Sequence, residues 1–203
     1  MDNVTNFYIG DEKSICEEIR AWSAYALEKP NAYFNNMPPC PFAKRAWLDE
    51  RVAIIFRYGG SQAVRSCFAQ FPDALDLIIV VDQFYKRDAG SFHSELEDYN
   101  EAISQGLFGD RDLWVMGFHP DDDSNDFVDD GEFEPHINTP YAMIFIQRLS
   151  KVQEAAYTLQ DLGYYDTYRE EYDVEAIFEQ RERLYRRLKD GNESTQKDGH
   201  GRR

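Results

Sequence analysis

The chain has 203 residues, of which 42% are hydrophobic and 15% aromatic, so it can bury one sizeable core and is expected to form one domain. Its formal charge of -16, from 38 Asp+Glu against 22 Lys+Arg, disfavours direct binding to a phosphate backbone or an anionic membrane surface. The same charge favours attraction of cations or of a basic partner protein, with mimicry of nucleic acid as the remoter variant. Met1-Asp2-Asn3-Val4 opens no basic-then-apolar leader, and no apolar run approaches a membrane span, which predicts a cytoplasmic protein. Cys16, Cys40 and Cys67 are odd in number and form no Cys-x-x-Cys pair, so reduced thiols are expected rather than disulfides or a thiolate zinc site.

Taken in chain order, Ser14-Ile15-Cys16-Glu17 reads as a capping box opening a helix to about Glu28, with Ile15, Ile19, Trp22 and Ala26 on its core face. After a turn-rich stretch, Cys40-Pro41 makes Cys40 the expected N-cap of a short helix. Val52 to Tyr58 reads as a strand, Gly59-Gly60-Ser61 as a turn into a helix reaching Phe71, and Asp76 to Val81 as a strand buried on both faces. A helix over 91–105, strands over 112–117 and 141–147, and a helix from Ser150 to Leu162 follow. Val174, Ile177, Phe178, Leu184 and Leu188 recur at helical spacing and predict a last amphipathic helix to about Asp190. Gly191 to Arg203 has no hydrophobic residue and is expected to be a disordered tail. Strands alternating with helices give the fold class as α/β: a single domain over 1–190, with a small mixed sheet of about four strands flanked by helices and a long acidic loop.

That loop carries the densest group of candidate ligands. Asp121, Asp123, Asn125, Asp129 and Glu132 fall at positions 1, 3, 5, 9 and 12 of a calcium-type window, because alternate positions of a tight loop bring oxygens to one centre. Asp126 stands where the sharp turn wants Gly, so a true EF-hand is not expected, and a solvated acidic loop remains the competing reading. Asp121, Asp123 and Asn125 are retained as ligands for a divalent cation. His119-Pro120-Asp121 also holds a His-x-Asp triplet, which with His136 has the make-up of a two-histidine-one-carboxylate iron face, against a plain strand-end histidine.

Cys40 at a helix N-terminus, near Lys44 and Arg45, has a setting that favours thiolate, against a small buried residue packed by Phe42 and Trp47. Arg148, closing the strand before the Ser150 helix, is a candidate clamp for an anionic group or a counter-charge for the acidic loop. Gly59-Gly60-Ser61 is a weak anion cradle. The run Cys40 to Arg45 resembles the Cys-Pro-Phe-x-x-Arg start of glutaredoxins and glutathione transferases, and Thr139-Pro140 resembles the Thr/Val-Pro that those proteins place before a strand.

Three segments in order resemble an uncharacterised bacterial family, the domain of unknown function numbered fourteen-fifteen: Ile19 to Trp22 leading to Cys40-Pro41-Phe42-Ala43-Lys44, then Gly117-Phe118-His119-Pro120-Asp121, then Thr139-Pro140-Tyr141 through Arg148. The likeness covers roughly 15–165. Pro39 replaces the family's Leu, Asp122 its Tyr, and Phe145 a histidine of its last strand. The resemblance implies that Cys40, His119, Asp121 and Arg148 gather in one pocket, and it brings no known activity. The resulting expectation is a small cytoplasmic enzyme acting on a small polar molecule, with Cys40 as reactive thiolate, His119 as acid/base, Arg148 as anion clamp, and a divalent cation as the cofactor to test. The alternative is a non-catalytic acidic protein that docks a basic partner.

Overall fold

The computed structural model describes residues 4–57, 61–83, 87–109, 111–123, 125, 132–137, 141–167, 169 and 173–198, with side chains described over 12–188 of these. Four strands, β1 (Val52–Phe56), β2 (Leu77–Asp82), β3 (Trp114–Phe118) and β4 (Ala142–Gln147), form one sheet in the order β1-β2-β4-β3. The helix α3 (Gln62–Ala69) carries the chain from β1 to β2, and the two strands pair in parallel from Val52↔Leu77 to Phe56↔Val81. β2 and β3 are joined by α4 (Ala89–Ser104), whereas β3 and β4 are joined by the acidic loop, so β4 returns antiparallel. It inserts between β2 and β3. The carboxyl ends of β1, β2 and β3 therefore lie along one edge of the sheet. The fold is the expected α/β domain with a four-stranded mixed sheet flanked by helices.

Side-chain alternation divides the core in two. Ile78, Val80, Ile144 and Ile146 pack with Val64 and Phe68 of α3, Phe92 and Leu96 of α4, and Leu184 of α6 (Val174–Asp198). Ile79, Val81 and Met143 pack on the opposite face with Ile15, Ile19 and Trp22 of α1 (Val4–Trp22) and with Ala26. Each large apolar side chain fully buried in these layers contributes roughly 1.5–3 kcal/mol. Gly117 sets the distance of α4 from β3, since a Cβ there would lie 2.5 Å from a Phe92 ring carbon and 2.7 Å from a Leu96 methyl. Asn100 then ties the helix to the strand: its Nδ2 donates to the Val115 carbonyl and its Oδ1 accepts from the Val115 amide, each at 2.9 Å.

Three local expectations are corrected. Ser14 does not start its helix: α1 begins at Val4 and continues past the Ser14–Glu17 pair, after which Ser23–Leu27 forms a π-helical turn. That wider turn buries both Ser23 and Ala26 and lets Ser23 accept from the Trp47 indole at 2.9 Å. Cys40 is not an N-cap, because α2 (Ala43–Leu48) is preceded by Phe42, and the Cys40 carbonyl accepts from Ala43 outside the helix. The backbone of α6 runs to Asp198, through residues read as tail, since Glu193, Gln196 and Lys197 carry fair helix propensity. After α5 (Leu149–Asp161) and α6, 199–203 lie outside the described residues. Among the described residues, no helix is long and apolar enough to cross a membrane.

Candidate functional site at the strand carboxyl ends

The parallel part of the sheet delivers Arg57 just beyond β1 and Asp82 at the end of β2, and α4 lays Glu95 and Tyr99 over them. Arg57 Nη1 donates to Glu95 Oε1 at 2.9 Å, and its Nε stands 3.3 Å from Asp82 Oδ2. Tyr99 donates its hydroxyl proton to the same Glu95 oxygen at 2.7 Å. The Arg57, Asp82 and Glu95 side chains are only 9%, 7% and 12% exposed, so one cation and two carboxylates share a nearly dry space. Burial pulls the guanidinium down, but the Glu95 hydrogen bond and the charges of Glu95 and Asp82 outweigh it, leaving Arg57 above its ordinary value. Burial, then the Glu95 hydrogen bond, pushes the Tyr99 hydroxyl up, which keeps it a donor. Among the described residues, Glu95 Oε2 is nonetheless buried without a hydrogen-bond partner, and Arg57 Nε has only its longer ion-pair contact with Asp82. Buried polar atoms in folded proteins are nearly always paired, so the Glu95 oxygen calls for a partner.

Sequence reasoning missed these residues. Arg57 fell inside the strand read over Val52 to Tyr58, Asp82 bounded the strand read over Asp76 to Val81, and Glu95 lay unremarked in the helix read over 91–105. The usable signal was spacing: Glu95 and Tyr99 stand i,i+4 on α4, beside the Phe92 and Leu96 stripe that faces the core.

His119 follows β3 and is 3% exposed, its ring centroid 5.6 Å from that of Phe92. Its Nε2 lies 3.0 Å from the Arg87 carbonyl, which can only accept, and its Nδ1 accepts from the Asp121 amide at 3.2 Å. Those two backbone partners hold the ring against the start of the turn. Asn125 Nδ2 donates to the His119 carbonyl at 2.9 Å, and His93 Nε2 meets Asp122 Oδ2 at 2.6 Å, tying the start of the loop to α4. Asp121 and Asp123 are exposed, as is Glu132. Among the described residues, no three His, Cys, Asp or Glu side chains converge as a metal set. Asp126 and Asp129 of the calcium-type window, Gly59-Gly60 and Thr139-Pro140 lie outside the described residues.

His136, the expected second histidine, belongs to a different arrangement. The buried Glu18 of α1 accepts from the amides of His136 and Ile137 at 2.7 and 2.9 Å and from the Tyr141 hydroxyl at 2.8 Å. It clamps the far end of the acidic loop onto α1. Burial, then the Glu18 hydrogen bond, pushes the Tyr141 hydroxyl up.

Cys40 and Arg148 lie elsewhere. The Cys40 amide donates to Leu27 at 3.0 Å, which anchors it on the α1 side of the sheet, whereas His119 packs on the α4 side. Burial pushes the Cys40 thiol up; the amides of Phe42 and Ala43 pull it down, Glu28 adds to the rise, and the net is upward. Arg45 pairs with Asp49 at 2.6 Å instead of facing the thiol. Arg148 donates to the Pro72 carbonyl at 3.2 Å and to Asp73 at 2.8 Å, with its guanidinium over the Phe71 ring. Gln147 pairs with Leu77 and Trp114, at the amino ends of β2 and β3, while Phe118 pairs with Met143. By this register Arg148 and His119 are separated by six residue steps along the strands, about 20 Å at roughly 3.3 Å per residue. Cys40, His119 and Arg148 do not share a pocket, because two lie on opposite faces of the sheet and two at opposite ends. Comparison of the chain with protein-family models, with curated proteins and with solved structures found no match in any of the three.

Proposed function

We propose that the protein is a small enzyme-like protein that takes up a small polar molecule at the carboxyl ends of β1 and β2, over Arg57, Asp82 and Glu95, with His119 bordering the same end of the sheet. The carrying observation is the buried Glu95 Oε2, which has no hydrogen-bond partner among the described residues, in the region where open α/β sheets collect ligands. Two carboxylates against one guanidinium favour a ligand rich in hydrogen-bond donors, such as an amine or ammonium group. The free thiols of Cys16, Cys40 and Cys67 support a reducing, cytoplasmic setting. A thermal-shift screen of polar metabolites, run on the wild type, Glu95→Gln and Arg148→Ala, tests this reading. A ligand that raises the midpoint of the wild type and of Arg148→Ala with concentration, but not that of Glu95→Gln, is the expected result. Equal shifts in all three chains would remove the cluster from the site. Calcium, magnesium and manganese, each against chelator, test the proposed cation at Asp121, Asp123 and Asn125, and no shift at millimolar metal sinks it.

A second reading, docking of a basic partner, is favoured by the His93–Asp122 contact, which joins the acidic loop to the exposed Glu97, Asp98 and Glu101 of α4. Binding of an oligolysine peptide that weakens with salt and is lost in Glu97→Lys/Asp98→Lys is the expected signature. Binding that ignores both would end this reading.

A further inference from the structure

The two edges of the sheet are finished differently. At the β3 edge, Asn100 caps both polar groups of Val115. At the β1 edge, no strand lies beyond β1 among the described residues. The Arg57 amide donates to Val81 at 2.8 Å, continuing the β1–β2 ladder. In a parallel strand, alternate residues direct both their N–H and C=O groups to one side, so Ala53, Ile55 and Arg57 serve β2. Val52, Ile54 and Phe56 aim theirs outward. All five residues of β1 are half-buried and apolar on both faces, with none of the charges, prolines or bulges that ordinarily protect an open edge.

We propose that this edge is where a second copy of the chain docks, β1 pairing antiparallel with β1 across a two-fold axis at Ile54. The register is self-complementary. With Ile54 opposite Ile54 and Val52 opposite Phe56, every outward-facing residue meets another outward-facing residue and exchanges both hydrogen bonds, leaving none over. On the α1 face, Val52, Ile54 and Phe56 then stack on Phe56, Ile54 and Val52 of the other copy; on the α4 face, Ala53 meets Ile55. Arg51 comes opposite Arg57 of the other copy, but each guanidinium is already held by its own carboxylates, Arg51 by Asp76 and Arg57 by Asp82 and Glu95. The long-range cost is the charge of -16 on each copy. Association therefore strengthens as salt screens the repulsion, the opposite of what docking of a basic partner does.

Sedimentation equilibrium of the full chain, across protein concentration and at low and high salt, should give a monomer–dimer equilibrium that tightens with salt. Residue-resolved hydrogen exchange should show the Ile54 and Phe56 amides slowing at least about tenfold from dilute to concentrated samples, while those of Ala53 and Ile55 stay protected throughout. Ile54→Pro removes an N–H that β2 does not use and should hold the chain monomeric, with Ile54→Val as the packing control. If Ile54→Pro does not fold, the exchange pattern of the unmutated chain decides alone. A chain that is monomeric at every concentration and salt overturns the proposal. So does a dimer whose Ile54 and Phe56 amides exchange as fast as in dilute solution, or one that Ile54→Pro still forms.

Discussion

The β1–β2 pair carries an arginine–carboxylate contact at each end, and the two differ in nearly everything but chemistry. At the amino end, Arg51 holds Asp76 by two hydrogen bonds of 2.6 and 2.9 Å, joined by Lys151, with side chains 34% and 26% exposed. At the carboxyl end, Arg57 holds Asp82 and Glu95 with side chains only 9%, 7% and 12% exposed, and Glu95 Oε2 is left without a hydrogen-bond partner among the described residues. Solvent reaches the first pair, whereas the second is nearly closed to it. An exposed pair of this kind contributes at most about 1 kcal/mol, while a buried one often does no better than apolar residues of the same volume. Stability is therefore a poor explanation of why charges sit under α4, which is the ground for the ligand proposed there.

The contrast is sharpest in what removal does. Arg57→Ala leaves Asp82 and Glu95 buried without their cation and should cost roughly 3–5 kcal/mol. Arg51→Ala, read from the same chemical denaturation curves, should cost far less, because solvent screens an exposed pair. Equal losses would show that burial does not distinguish the two ends. Next in size is Gly117→Ala, whose added Cβ would stand 2.5 Å from a ring carbon of Phe92. Overpacking of that order costs about 1–3 kcal/mol, and it should lower the thermal midpoint because α4 must back away from β3.

Much of this molecule was legible in its sequence, and the unreadable part has a physical cause. Period and turn chemistry located all four strands and the core stripe of α1, because those signals are local. The insertion of β4 between β2 and β3 was not legible, since a pairing between residues as distant as Val81 and Met143 leaves no mark on either segment. The site failed in the same way. Cys40, His119 and Arg148 stand out as residue types near motif-like neighbours, yet face and strand end separate them. Asp82 and Glu95 looked like ordinary charges because burial is a tertiary property. Ser14 shows the reverse error: a local capping signal pointed to a helix start, yet the helix begins at Val4 and runs through it.

The two ends should also answer pH on opposite limbs. Tyr99 is pushed up by burial and then by its bond to Glu95, and Tyr141 likewise by burial and Glu18. A raised acid in the folded state binds its proton more tightly than in the unfolded chain, so its stabilisation is complete below the unfolded value of about 10 and is lost as pH rises toward the folded one. Stability should fall in the alkaline range, by up to about 1.4 kcal/mol per pH unit for each tyrosine. Tyr99→Phe should flatten that limb in pH-dependent denaturation; an unchanged slope would separate Tyr99 from the cluster.

The smallest effect belongs to the wet end. Its hydrogen bond to Arg51, opposed by partial burial and aided by Lys151, holds the Asp76 carboxyl below the usual carboxylate range. A depressed acid stabilises the fold above its unfolded value, about 3.9, and that contribution disappears as pH falls through the lower folded one. Asp76→Asn should remove this part of the acid limb, at most about 1 kcal/mol, and leave the alkaline limb untouched. Because water and counterions reach Arg51 and Asp76, raising the salt concentration should shrink the difference between Asp76→Asn and the wild type. The penalty of Arg57→Ala should hold steady over the same salt series, since a Debye atmosphere cannot enter the space beneath α4. A salt-sensitive Arg57 would mean that solvent reaches the cluster, and the Glu95 oxygen would then be satisfied by water instead of by the proposed ligand.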